Sequence, residues 1–170
     1  MIARDIAPDW GHQTYGAGWQ LGVFNGEDLL PERDVLLSEL VEVTGAPALW
    51  GFVVDSDFVD LVMLGQRSGR VHVFLGPESA EIFMDEFGLV GDESDEAGPD
   101  LEEGEYVDLE EQFPDQVDAT SKALAWAHEA GLSADAAAVA AVFTQEADPL
   151  AEDLMLDLLD ALGIHKTNPT

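Results

Sequence analysis

Cysteine is absent from this chain and lysine nearly so, Lys122 and Lys166 being its only two. The first absence excludes disulfides, thiolate metal sites and a cysteine nucleophile together. Basic residues of any kind number 6 against 36 acidic ones, giving a formal charge of −30 and a pI near 4.1. A surface so charged repels DNA, RNA and anionic membranes, which excludes nucleic-acid binding through a basic patch. Long hydrophobic runs are missing too. Stretches such as Val73–Leu75 and Ala136–Phe143 fall far short of the roughly 20 apolar residues that a membrane helix needs. The opening Met1–Gln13 has neither a basic start before an apolar core nor a small-residue cleavage site, so a cytoplasmic location is expected.

Catalytic signatures are equally scarce. Gly16-Ala17-Gly18 is too short for a dinucleotide fingerprint, and no Gly-Lys-Ser/Thr loop or Gly-x-Ser-x-Gly elbow occurs. The four histidines, His12, His72, His128 and His165, show no pairing at metal-ligand spacing. With six cations in all, an anionic transition state would find little to stabilise it. No catalytic residue is nominated, and the chain reads as a non-enzyme without a tightly held cofactor.

What is present is enough for a core. The 170 residues are 46% hydrophobic, which fits one folded domain. The organising stretch is Ala48–Leu75, where Leu49–Val54, Phe58–Leu64 and Arg70–Leu75 are short Val-, Phe- and Leu-rich runs separated by polar and Gly residues. Connections as short as Asp55-Ser56-Asp57 and Gly65–Gly69 predict a three-stranded antiparallel meander. Met1–Ile6 is a candidate edge strand, Asp9–Gly18 an aromatic-bearing loop, and Trp19–Phe24 a strand entering the same sheet. The spacing predicts helices over Pro31–Val43, with Val35, Leu36, Leu40 and Val43 inward, and over Glu78–Phe87, with Ala80, Ile82, Phe83 and Phe87 inward.

Beyond Gly91 the character changes. Eight of the fourteen residues from Asp92 to Glu105 are acidic, a stretch with too little apolar surface to order itself. Its Asp92, Ser94, Glu96, Asp100 and Glu103 fall near calcium-loop positions, but Ala97 stands where the sharp turn requires Gly. Three helices are then predicted: Pro114–Ala130, Ser133–Ala147 with Ser133 as its cap, and Leu150–Leu162 opened by Asp148-Pro149. Leu150, Leu154, Met155, Leu158, Leu159 and Leu162 form the stripe of the last, and His165–Thr170 is a fraying tail. The expected fold class is α+β, mainly antiparallel, in a single domain: a sheet lobe over residues 1–90, an acidic linker over 91–113 and a three-helix lobe over 114–165.

Charge is the strongest functional lead. Residues 1–90 carry 15 acids and 4 arginines, net −11, whereas residues 91–170 carry 21 acids and 2 lysines, net −19. A salt-rich host would spread acidity evenly, while an interaction segment concentrates it. The partner-facing candidates are therefore Asp92, Glu93, Asp95, Glu96, Glu102 and Glu103 in the run, with Asp153, Asp157 and Asp160 on one face of the last helix. The expected partner is a basic protein, held in the manner of an inhibitor or immunity-type protein that masks a cationic active site. A second reading places Mg²⁺ or Mn²⁺ on Asp55, Asp57 and Asp60, because carboxylates close in sequence at a strand end converge on hard cations. A third leaves the acidity as adaptation to the environment, with only weak divalent-ion condensation.

Overall fold

The computed structural model describes residues 11–23, 33–86, 116–148 and 150–166. The acidic run, the candidate strand Met1–Ile6 and the side chain of Val117 lie outside them, as do Phe87 and Pro149. The class is α+β, with five α-helices among the described residues.

The meander forms as its alternation predicts. Strands β3 (Ala48–Val54), β4 (Phe58–Gly65) and β5 (Gly69–Leu75) pair antiparallel in the order β3-β4-β5. Asp60 sits opposite Phe52 on one side and Phe74 on the other. The first hairpin turns at Asp55 and Ser56, whose φ values of 47° and 65° are both left-handed, as a type I′ turn requires. Asp57 closes it by donating its N–H to the Val54 carbonyl at 2.9 Å.

The N-terminal strand does not join this sheet. Strand β1 (Gly11–Thr14) lies within the stretch expected to be loop, and it pairs with β2 (Gln20–Val23) in a separate hairpin around a 3-10 turn at Gly16–Gly18. That hairpin is tied down by the C-terminal residues. The Gly16 N–H donates to the His165 carbonyl at 2.9 Å and Tyr15 bridges Lys166, so residues 165 and 166 are held and do not fray.

Helix α1 (Arg33–Thr44) crosses one face of the meander and α2 (Pro77–Glu86) covers the end of that face. The inward stripe of α1 is Leu37 and Val41, whereas Val35, Leu40 and Val43 point outward. In α2 the buried residues are Ala80 and Met84, while Ile82 is exposed. Both corrections have one cause. Each helix offers more than one apolar stripe at helical spacing, and contact with the strands decides between them.

The opposite face carries the main core. Val59, Leu61, Met63, Val71, Val73 and Leu75 project from β4 and β5 against α3 (Gln116–Glu129), α4 (Ala136–Thr144) and α5 (Ala151–Ala161). Trp126 is wholly buried at the centre, and its indole N–H donates to the carbonyls of Ala48 and Leu64 at 3.2 and 3.1 Å. Those two residues are register partners across β3 and β4, so one ring satisfies the end of the ladder. Full burial of each such Leu or Val is worth about 1.5–3 kcal/mol relative to exposure. Trp19 packs against Trp126 at a tilt of 48° with centroids 5.4 Å apart, which makes the aromatic N-terminal region a cover for the core.

Two helix starts differ from the local signals. Asp135, not Ser133, caps α4, accepting the N–H groups of Ala137 and Ala138 at 2.9 and 3.1 Å. Helix α5 begins at Ala151 behind Leu150 and has no side-chain cap of its own. The Ala151 N–H is satisfied instead by the Ser56 carbonyl of the first hairpin, at 2.9 Å.

Candidate functional site

The described carboxylates divide into those that face inward onto other parts of the chain and those that face solvent. Inward ones clasp the helices to the sheet. Glu129, at the end of α3, accepts the N–H of Ser68 at 2.7 Å and that of Arg67 at 3.1 Å, capping the β4–β5 turn. A side chain at Gly65 would collide with it, since a Cβ there would lie 2.7 Å from Glu129 Oε2. Burial works against ionisation of Glu129. The hydrogen bond from the Ser68 N–H, helped by the Ser68 hydroxyl and by Arg67, outweighs it and holds the carboxyl below the usual glutamate value. Glu146, beyond α4, accepts the first free N–H groups of α2, from Glu78 at 3.1 Å and Ser79 at 3.4 Å. Glu152 accepts the Ser56 hydroxyl at 3.0 Å.

A polar cluster lies on the sheet face under α1. Asp60 Oδ1 is 2.6 Å from His72 Nε2, and its Oδ2 accepts Arg33 Nη1 at 2.6 Å. The three side chains are 18%, 15% and 17% exposed. Arg33 also reaches Asp34 at 3.1 Å, and Asp34 holds Arg70 at 3.2 Å. Asp60 and His72 meet because Val62 pairs with His72 and Asp60 with Phe74, which puts both on one face one step apart along the diagonal. That alternation is legible in the meander, although Arg33 and His72 were not singled out by residue type. Glu129, Glu146 and Glu152 carried no local signal, since each acts on a distant segment.

This cluster accounts for one of the candidate metal ligands. Asp60 is committed to a guanidinium and an imidazole, while Asp55 and Asp57 stand exposed at the hairpin turn. Among the described residues no group of three or more His, Asp or Glu is placed to hold a metal ion. Beside the cluster, Asp34, Leu37, Ser38, Val62, Leu64 and Arg70 line a cavity of about 110 Å³. That is well below the roughly 300 Å³ at which small-molecule sites begin.

Outward-facing acids are arranged differently. Asp153, Asp157 and Asp160 all stand exposed on α5 at four- and three-residue spacing, as their positions predict. Asp160 meets His165 Nδ1 at 2.7 Å, and Asp153 and Asp157 have no cation in ion-pair range among the described residues. Asp92, Glu93, Asp95, Glu96, Glu102 and Glu103 lie outside the described residues. Four of the described cations are already engaged, Arg33 with Asp60, Arg70 with Asp34, Arg67 with Glu129 at 3.8 Å and Lys122 with Asp118 at 2.5 Å, while exposed Lys166 is in no ion pair among the described residues. No helix among the described residues is long and apolar enough to cross a membrane.

Compared with protein-family models, curated proteins and solved structures, the chain matches none.

Proposed function

We propose that this chain is a non-catalytic binding protein that receives a basic protein partner, as an inhibitor or immunity-type protein does. One observation carries the reading. Arg33, Arg67, Arg70 and Lys122 are each engaged by the chain's own carboxylates, while acids such as Asp153 and Asp157 stand exposed with no cation in ion-pair range among the described residues. Like charges at four- and three-residue spacing on a helix face cost a few tenths of a kcal/mol per pair, about 0.2–0.5 kcal/mol, until an opposite charge arrives. Dense carboxylates also steer a cationic surface into encounter and make the association sensitive to salt. Divalent cations condense only weakly on such a surface, as loosely held counterions.

The test is capture from host lysate at low ionic strength, run side by side with the same capture at about 0.5 M salt. A basic protein retained in stoichiometric amount at low salt and released at high salt supports the reading. Retention of no basic protein at low salt overturns it.

A further inference from the structure

Helix α1 is apolar on two sides. Leu37 and Val41 point into the sheet and are buried, yet Val35 and Val43 are 60% and 68% exposed and Leu40 is 37% exposed. Val35, Glu39 and Val43 stand at i, i+4 and i+8, a single row along the outer surface. Leu36 and Leu40 form the adjoining row, and exposed Glu42 borders the first on its other side. Apolar residues make up half of the helix and fall on its outer as well as its inner side. A single exposed apolar residue is ordinary, but three on one helix, set around Glu39 and bordered by Glu42, make a mixed apolar and acidic surface of the kind that interfaces use.

We propose that this outer face of α1 is where the partner docks, and that what docks is a basic amphipathic helix. Its apolar residues, at i, i+4 and i+7 or i+8, would pack between Val35, Leu40 and Val43, while flanking Lys or Arg pair with Glu39 and Glu42. The proposal rests on the reading of the chain as receiver of a basic partner and names the surface used. Charge selects this occupant over two others. A second copy placed face to face would set Glu39 and Glu42 against themselves on bodies of charge −30. The chain's own Asp92–Glu105 run, with its eight acids, is like-charged with the same rim.

The outer face of α5 makes the natural control. It carries Leu156, 52% exposed, beside Asp153, Asp157 and Asp160, so it has acid without an apolar row.

The probe is a synthetic helical peptide of about 14 residues made only of leucine and lysine, with a charge-matched scrambled peptide for comparison. Binding to the full chain is followed by fluorescence anisotropy at low salt, with thermal melts and gel filtration on every variant. The expected result is that Val35→Ser with Val43→Ser, and separately Glu39→Lys with Glu42→Lys, each weaken binding about tenfold or more. The triple Asp→Lys variant of α5 should stay within about threefold of the native chain. Elution should not change in the valine variant, and its melting temperature should fall by no more than about 4 °C.

Undiminished binding by the valine variant, with loss in the α5 variant, overturns the α1 site while the basic-partner reading stands. A melting temperature lowered by clearly more than that in the valine variant would mean that the chain itself covers the face, and a change in oligomeric state would mean a second copy does. Either result overturns the proposal. No preference of the native chain for the amphipathic peptide over the scrambled one overturns it as well.

Discussion

The two faces of the β3–β4–β5 sheet are drawn from alternate residues of the same strands, yet they meet their helices by different means. On one face Val59, Leu61 and Met63 of β4 are fully buried under α3, α4 and α5 around Trp126. On the other, Asp60 and His72 interrupt the apolar surface, and α1 is pinned there by Arg33 as well as by Leu37 and Val41. The first face is therefore expected to set global stability and the second to orient α1.

Substitutions on the two faces should separate these roles. The largest loss is expected for Trp126→Ala or Leu61→Ala, at about 3–5 kcal/mol for the Trp and 2–5 for the Leu, because each leaves a cavity in the packed core. Urea denaturation would measure it, and losses under 1 kcal/mol would mean that the main core lies elsewhere. Asp60→Ala should cost less, about 1–3 kcal/mol, since it strands Arg33 and His72 in half-buried positions. Replacing Arg33 as well, by Arg33→Met, should recover part of that loss if the strain lies in the stranded cation.

Glu129→Gln tests the clasp that carries the helices to the β4–β5 turn. The native carboxyl titrates below its unfolded value of about 4.5, so its contribution is fully present above that pH. It is lost as pH falls through the lowered folded value. The variant should therefore be less stable than the native chain near neutrality, and the gap should close as acid is added. A gap that is constant with pH would show that the clasp does not work through the ionised carboxylate. The smallest effect is expected on the outer side of α1, where Val35→Ser with Val43→Ser should change stability by no more than about 0.5 kcal/mol per residue. A larger change would show that those valines are not surface residues, and the contrast between the two sides of α1 would fail.

The strands were legible because a period of two leaves little choice: Val59, Leu61 and Met63 must share a face once Phe58–Gly65 is a strand. Helix α1 was less so. Val35, Leu36, Leu37, Leu40, Val41 and Val43 contain two apolar stripes, and only packing against β3 and β4 selects Leu37 and Val41. The helix starts depart from their local signals for a related reason. Ser133 and Asp148-Pro149 are sound local caps, but Asp135 and the Ser56 carbonyl satisfy those N–H groups once the chain is folded. The candidate carboxylates followed the same division. Asp153, Asp157 and Asp160 share an exposed face because helical spacing alone decides it, whereas the commitment of Asp60 to Arg33 depends on a residue 27 positions away.

The central claim is that the outward carboxylates exist to meet a basic protein surface. The most direct measurement is the dissociation constant of the native chain with its captured partner as salt is raised from about 0.05 to 0.5 M, across which the screening length falls from roughly 14 to 4 Å. A steep loss of affinity, carried mainly by slower association, is expected. An affinity unchanged across that range would contradict it.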